Sequence, residues 1–207
     1  MPTPSKATKK LIEFNCKNGV YAVDSTVKPL GYLVSNTLDK SIATKDINGD
    51  GELQLSILTD KGMAGTLEMT ARDDDFEIDL GFLKEIEQGL ADVQVLHNKT
   101  IAIGYETYIL TKDGVIKTKK VWLLGVNVSP AGDSLSQNTD TINEATASYG
   151  LTVKGTNLKQ SDGSTDYIDE NGNTIKVFKI SCVPSQAGYE TFLENVPTPK
   201  VKTEATT

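Results

Sequence analysis

Histidine is almost missing from this 207-residue chain: His97, in the stretch VLHNKT, is the only one. A zinc centre needs several converging His, Cys or carboxylate ligands, and a nucleophile paired with histidine needs an acid to orient the ring. No GxSxG elbow frames a serine, and no P-loop or GxGxxG cradle is present. His97 therefore reads as an exposed loop residue, and no catalytic, cofactor-binding or metal residue is assigned. The 28 Asp and Glu residues are too many for a catalytic pair to be picked out. The chain is expected not to be an enzyme and to need no cofactor.

Two cysteines, Cys16 and Cys182, are too few for a disulfide-rich scaffold. Each ends an alternating apolar run, so they read as small core residues or as one long-range disulfide. No apolar run approaches the roughly 18 residues of a membrane span, and MPTPSKATKK is not followed by the apolar core of a secretory signal. Synthesis and folding in a cytoplasm, without a membrane partner, are expected. Basic excess is absent too. The formal net charge is −7, which leaves no broad surface for gripping phosphates and argues against specific nucleic-acid binding.

What the chain does have is alternation. LIEFNC (11–16) and VYAV point to two strands joined at Asn18-Gly19. TLEMTA (66–71) places Leu67, Met69 and Ala71 on one face. Ile101, Ile103, Tyr105 and Tyr108 to Leu110 make a strand, Lys112-Asp113-Gly114 turns it, and Val115 to Val128 returns. Tyr149, Leu151 and Val153 alternate again. A last hairpin crosses Asn171-Gly172, and a short amphipathic piece follows over Ala187 to Val196. DDDFEIDLGFLKEIEQGLADV breaks the period, with acids first and Phe82, Leu83, Ile86 and Leu90 at helical spacings, predicting one helix over 78–87.

The fold class that follows is mainly β: an antiparallel β-sandwich or barrel with one packed α-helix. Residues 1–10 read as a flexible N-terminal arm, 11–183 as the sandwich domain, and 184–207 as a C-terminal extension. Trp122, Tyr105 and Tyr108 lie inside alternating strands, where packing or a subunit contact is favoured over sugar stacking.

Two stretches bear on association. VWLLGVNV (121–128) is apolar on both sides except for Asn127, which calls for burial on both faces or for one face against another molecule. KDINGDGELQL (45–55) has Asp46, Asn48, Asp50 and Gly51 at calcium-loop spacing, but its twelfth position is Ile57 where a bidentate acid is needed. The residues after it alternate as a strand, so an acidic turn is favoured over a cation site. The whole 36–65 excursion is expected to project as a loop or hairpin.

Three stretches in order resemble the major tail proteins, or tail tube subunits, of long non-contractile-tailed bacteriophages. They are GMAGTLEMTARDDDFEIDLGF (62–82), KTIAIGYETYILTKDGVIKTKKVWLLGVNVSPAG (99–132) and SLSQNTDTINEATASYGLTVKG (134–155), and the region they span is a little under half of the chain. The resemblance implies a structural virion protein of the phage tail. Its subunits would self-associate into stacked hexameric rings, with a tape-measure protein and tail-tip and terminator proteins as partners. Genome DNA would pass through the lumen without specific binding, which an acidic lining favours, and Glu106 of the central hairpin is a candidate lining residue. Alternatives are the tube protein of a contractile injection or type VI-like secretion apparatus, and an immunoglobulin-like surface binding module.

Overall fold

The structure is a computed structural model that describes residues 10–31, 33–50, 52–95, 99–132 and 146–202. The arm expected over 1–10 lies outside them except for Lys10, as do His97 and most of the polar stretch before Ala147. Twelve strands and one helix are described: β1 (Lys10–Val23), β2 (Thr26–Pro29), β3 (Leu33–Gly49), β4 (Glu52–Met69), α1 (Asp74–Leu80), β5 (Leu83–Ile86), β6 (Gly89–Asp92), β7 (Thr100–Thr111), β8 (Ile116–Ser129), β9 (Ala147–Val153), β10 (Thr156–Asn157), β11 (Lys176–Val177) and β12 (Lys179–Cys182). The chain is mainly antiparallel β with one short helix. Its principal sheet runs β2-β1-β7-β8-β9-β4-β3, with β12 added to β8. Gly19 of β1 lies against Leu33 of β3, so the two ends of this sheet approach each other and enclose the core.

Period two places that core. In β9, Ala147, Tyr149, Leu151 and Val153 are buried while Ser148 and Thr152 are exposed. Leu67 and Met69 of β4, Ile101, Ile103 and Tyr105 of β7, and Val121, Leu123, Val126 and Val128 of β8 join them in one cluster. The step from Leu123 to Val126 is odd, and strict alternation would turn Val126 outward. A bulge corrects it: Ile103 sits opposite Leu123 and Ile101 opposite Val126, so β8 spends three residues where β7 spends two. Gly125 takes a φ of 64° there, and a Cβ on it would lie 2.4 Å from the Gly155 carbonyl oxygen, so only glycine fits without rearrangement. The same kink lets β8 exchange partners, from β12 over 120–123 to β9 over 126–129.

Three expectations are corrected. β1 does not turn at Asn18-Gly19. It pairs with β7 on both sides of that dipeptide, the left-handed Asn15 and Asn18 are absorbed as bulges, and the chain reverses at Asp24-Ser25. The helix lies not over 78–87 but over Asp74–Leu80. Asp73 caps it by accepting from the Phe76 amide at 3.1 Å, and Gly81 ends it in the left-handed conformation. Leu83 and Leu90 therefore sit on the β5–β6 hairpin, where Glu87 and Gln88 make the turn and Gly89, at φ 130°, pairs with Ile86 to close it.

The third correction concerns the outer face of β8. Trp122 and Leu124 point away from the main core, yet they are buried with Ala22 and Ala102 beneath Phe192, Leu193 and Val196. No neighbouring molecule is needed to cover this face. The chain's own segment 187–196 lies across it in turns rather than as a helix or strand. Its carbonyl oxygens accept from the sheet's side chains: Trp122 Nε1 donates to Phe192 at 2.7 Å, and Lys120 Nζ donates to Tyr189 and Glu190 at 3.0 and 2.8 Å. The part expected as an extension from 184 is thus a strap over the sheet and belongs to the fold.

Candidate functional site

β3 and β4 stay paired to the end, Gly49 opposite Glu52, but β9 supports β4 only from Met63 to Met69. Past Ile42 and Asp60 the two strands continue alone as a ribbon of about 25 Å, at the usual rise per residue. Every side chain described between Thr44 and Lys61 is exposed. Residues directly opposite in an antiparallel pair share a face. One face of this arm therefore carries Ile47 and Leu55 as a cross-strand pair with Ile57 and Ala43 beside them. The other carries Ile42 and Leu58, which is 71% exposed. Polar residues lie among them, Lys45 opposite Ile57 and Asp46 opposite Ser56, but a two-stranded ribbon is marginal in water and one with exposed apolar side chains on both faces gains from a partner.

The arm's end is the acidic stretch considered above as a cation loop. Strands flank it on both sides, and Asp46 accepts from Ser56 Oγ across the ladder at 2.6 Å. Among the described residues no group of three or more His, Cys, Asp or Glu is placed to hold a metal ion. Asp50 takes the left-handed φ of 55° that a tight hairpin end demands.

Several buried or half-buried chemistry-bearing groups are tied into the structure. Glu77 of α1 is fully buried. It pairs with the Arg72 guanidinium (Nε to Oε1, 3.0 Å) and accepts from the Tyr149 hydroxyl at 2.7 Å, which pins the helix to β9. Burial, then that hydrogen bond to Glu77, drives the Tyr149 hydroxyl above its ordinary range. Asp79 accepts from Lys28 Nζ at 2.6 Å and Tyr21 OH at 2.7 Å.

Both cysteines are free thiols, Cys182 buried and Cys16 half-buried, so the disulfide alternative falls. Burial pushes the Cys16 thiol up to about 11, which keeps it protonated at neutral pH and a poor nucleophile. It lines a cavity of about 420 Å³ between β1 and β3 with Glu13, Asn36, Tyr105 and Thr107. The side-chain amide of Asn36 has no protein partner there.

Glu106, the candidate lumen residue, lies on the outer side of β7, its side chain only 15% exposed. It accepts from Asn18 Nδ2 at 2.7 Å and faces Lys17 Nζ at 3.9 Å, so its charge is compensated within the subunit. Lys119 and Lys120 are buried, Lys119 against Glu13 and Lys120 under the strap, while Lys117 is exposed. Trp122 and Tyr105 are buried packing residues. Tyr108 is half-buried, with Phe14 at 5.6 Å between ring centroids.

No family model and no curated protein matches the chain. Among solved structures it is similar to a chain of the anti-feeding prophage (AFP) baseplate determined by cryo-electron microscopy with six-fold symmetry. The identity is 8%, the match covers 74% of this chain and 93% of that one, and the TM-score is 0.36. At that score, function is left to the residues themselves.

Proposed function

We propose that the chain is a structural building block that joins copies of itself, and specifically a subunit of a phage tail tube. Stacked hexameric rings of it would enclose the channel through which DNA leaves the virion. The observation that carries the self-assembly is the β3–β4 arm, about 25 Å of paired strand with apolar side chains on both faces and no support beyond Met63. The ordered resemblance of 62–82, 99–132 and 134–155 to tail tube subunits supplies the specific reading. The observed fold is compatible with it, being antiparallel β with one short helix after an acid-capped corner.

The apolar outer face of β8 no longer supports the reading, because the strap covers it. The arm takes over that role. On this reading the tape-measure, tip and terminator proteins are the partners, the finished location is the virion tail, and the net charge of −7 disfavours retention of DNA in transit.

The test is substitution on the arm. Leu55→Asp with Ile57→Asp places two charges on its more apolar face, in side chains that touch no core. Wild-type protein at high concentration is expected to pellet as polymer, and the variant is expected to remain soluble with an unchanged melting temperature. A variant that polymerises like the wild type would remove the arm from the account.

A further inference from the structure

The principal sheet does not pair its two ends where they meet. From β1 the order runs through β7, β8, β9 and β4 to β3, and each of these five steps is antiparallel, so β1 and β3 face each other antiparallel across a seam. At one end the seam is shut. Leu30 N donates to Gly19 O at 2.9 Å, and a Cβ on Gly19 would lie 2.8 Å from the Leu33 side chain. Further along it gapes, and Cys16 of β1 and Asn36 of β3 both line the cavity of about 420 Å³ between the strands. Among the described residues no strand pairs with the outer edge of β3, or with the edge of β1 turned away from β7 before Val20. Unpaired strand edges of this kind are poised to pair.

The two lips match. From Gly19 to Cys16 and from Leu33 to Asn36 is three residues on each strand, and each stretch carries a bulge. Continuing the contact of Gly19 with Leu33 along the seam therefore brings Cys16 opposite Asn36. Asn36 stands opposite Leu67 on the inward face, and Cys16 packs against the core, so the pair shares that face.

The Asn36 amide shows which way the seam is biased. Its oxygen and nitrogen are both shut off from solvent, and neither has a hydrogen-bond partner. A buried amide in that state costs stability, and an arrangement that satisfies it is favoured by as much. The Thr107 hydroxyl lines the same cavity from β7, behind β1. It donates to the Phe14 carbonyl oxygen at 3.1 Å, which leaves its lone pairs to accept. Closing the gap carries Asn36 towards that hydroxyl.

We infer that the β1–β3 seam is a two-position joint: ajar as it stands, and zipped, with Cys16 opposite Asn36 and the sheet closed into a barrel. Because β3 runs on from Asn36 into the arm, the two positions aim the arm differently. The joint belongs to the single subunit and stands whether or not copies assemble.

The experiment uses the full-length chain with Asn36→Cys and Cys182→Ala, leaving Cys16 as the partner thiol. In the zipped position the two Cα atoms stand roughly 4.5–5.5 Å apart, within reach of a disulfide. Under copper–phenanthroline oxidation of the folded protein, the intrachain disulfide to Cys16 is expected to form at least about ten times faster than in a control with Thr37→Cys, the next residue along and on the outward face. In the cross-linked protein, the amides of 34–38 that face away from β4 are expected to exchange with deuterium about tenfold more slowly than after reduction. A rate no higher than the control, or a disulfide that leaves those amides unprotected, overturns the proposal. If Asn36→Cys does not fold, Lys17→Cys with Ser35→Cys in a Cys16→Ser, Cys182→Ala background gives the same two readouts from the outer face, and the same results decide.

Discussion

Glu77 is the residue on which most depends inside the subunit. A carboxylate this deep persists because Arg72 and Tyr149 satisfy it, and removing one member of such a set leaves the others stranded. Glu77→Ala is expected to cost about 3 kcal/mol and to lower the melting temperature by roughly 6–12 °C in a chain of this length. Glu77→Gln keeps an acceptor for Tyr149 and should lose less than half of that. Asp79 gives a pH signature. Burial alone would raise its carboxyl, but the hydrogen bonds from Lys28 and Tyr21 outweigh it and hold the group below the usual range. A depressed carboxylate stabilises the fold fully above its unfolded value of about 4 and loses that contribution as pH falls through the folded value. Asp79→Asn is therefore expected to cost about 1 kcal/mol at pH 7, discounted because Lys28 is well exposed. Near pH 3 the gap to wild type should shrink, as thermal unfolding at the two pH values will read.

Elements bring in what is not local, and there sequence and structure part in instructive ways. β9 and the inward face of β7 were readable because one buried face imposes strict alternation. The projection expected over 36–65 is real only past Ile42 and Asp60, since β9 holds β4 from Met63 on and Leu38 and Met63 pack against the core. The helix was displaced because Phe82 and Leu83 continue a helical spacing that Gly81 has already ended. Asn18-Gly19 carries hairpin chemistry but serves a bulge, since β7 is long enough to pair on both sides of it. The strap was beyond sequence reading: nothing local says that Phe192 and Leu193 will lie on Trp122, some 70 positions earlier. Trp122 is the only tryptophan and reports on this contact. Phe192→Ala with Leu193→Ala is expected to shift its emission to the red and to cost about 2–4 kcal/mol in urea unfolding. Unchanged emission would mean that the strap is not what dries the ring. Deleting 46–51 from the arm should leave that emission intact while abolishing long polymers.

At the scale of the whole molecule, the candidate site is a projecting ribbon rather than a pocket. That is why no motif announced it: apolar residues on a projecting ribbon have no fixed spacing, and their significance appears only when register shows nothing packed beside them. The subunit is acidic, the outer face of β8 is covered by its own strap, and the exposed apolar side chains of the arm are joined by others on the β5–β6 hairpin, at Ile12 and Ile116, and at Ile168 and Ile175. The arm projects from one end of the sheet, which gives the subunit a polarity suited to directional assembly. The most direct measurement is negative-stain electron microscopy of concentrated full-length protein, with tail-tip proteins added as nucleators. The account expects hollow rods whose end-on views show six-fold symmetry. Particles that stay monomeric in every condition, nucleators included, would contradict it.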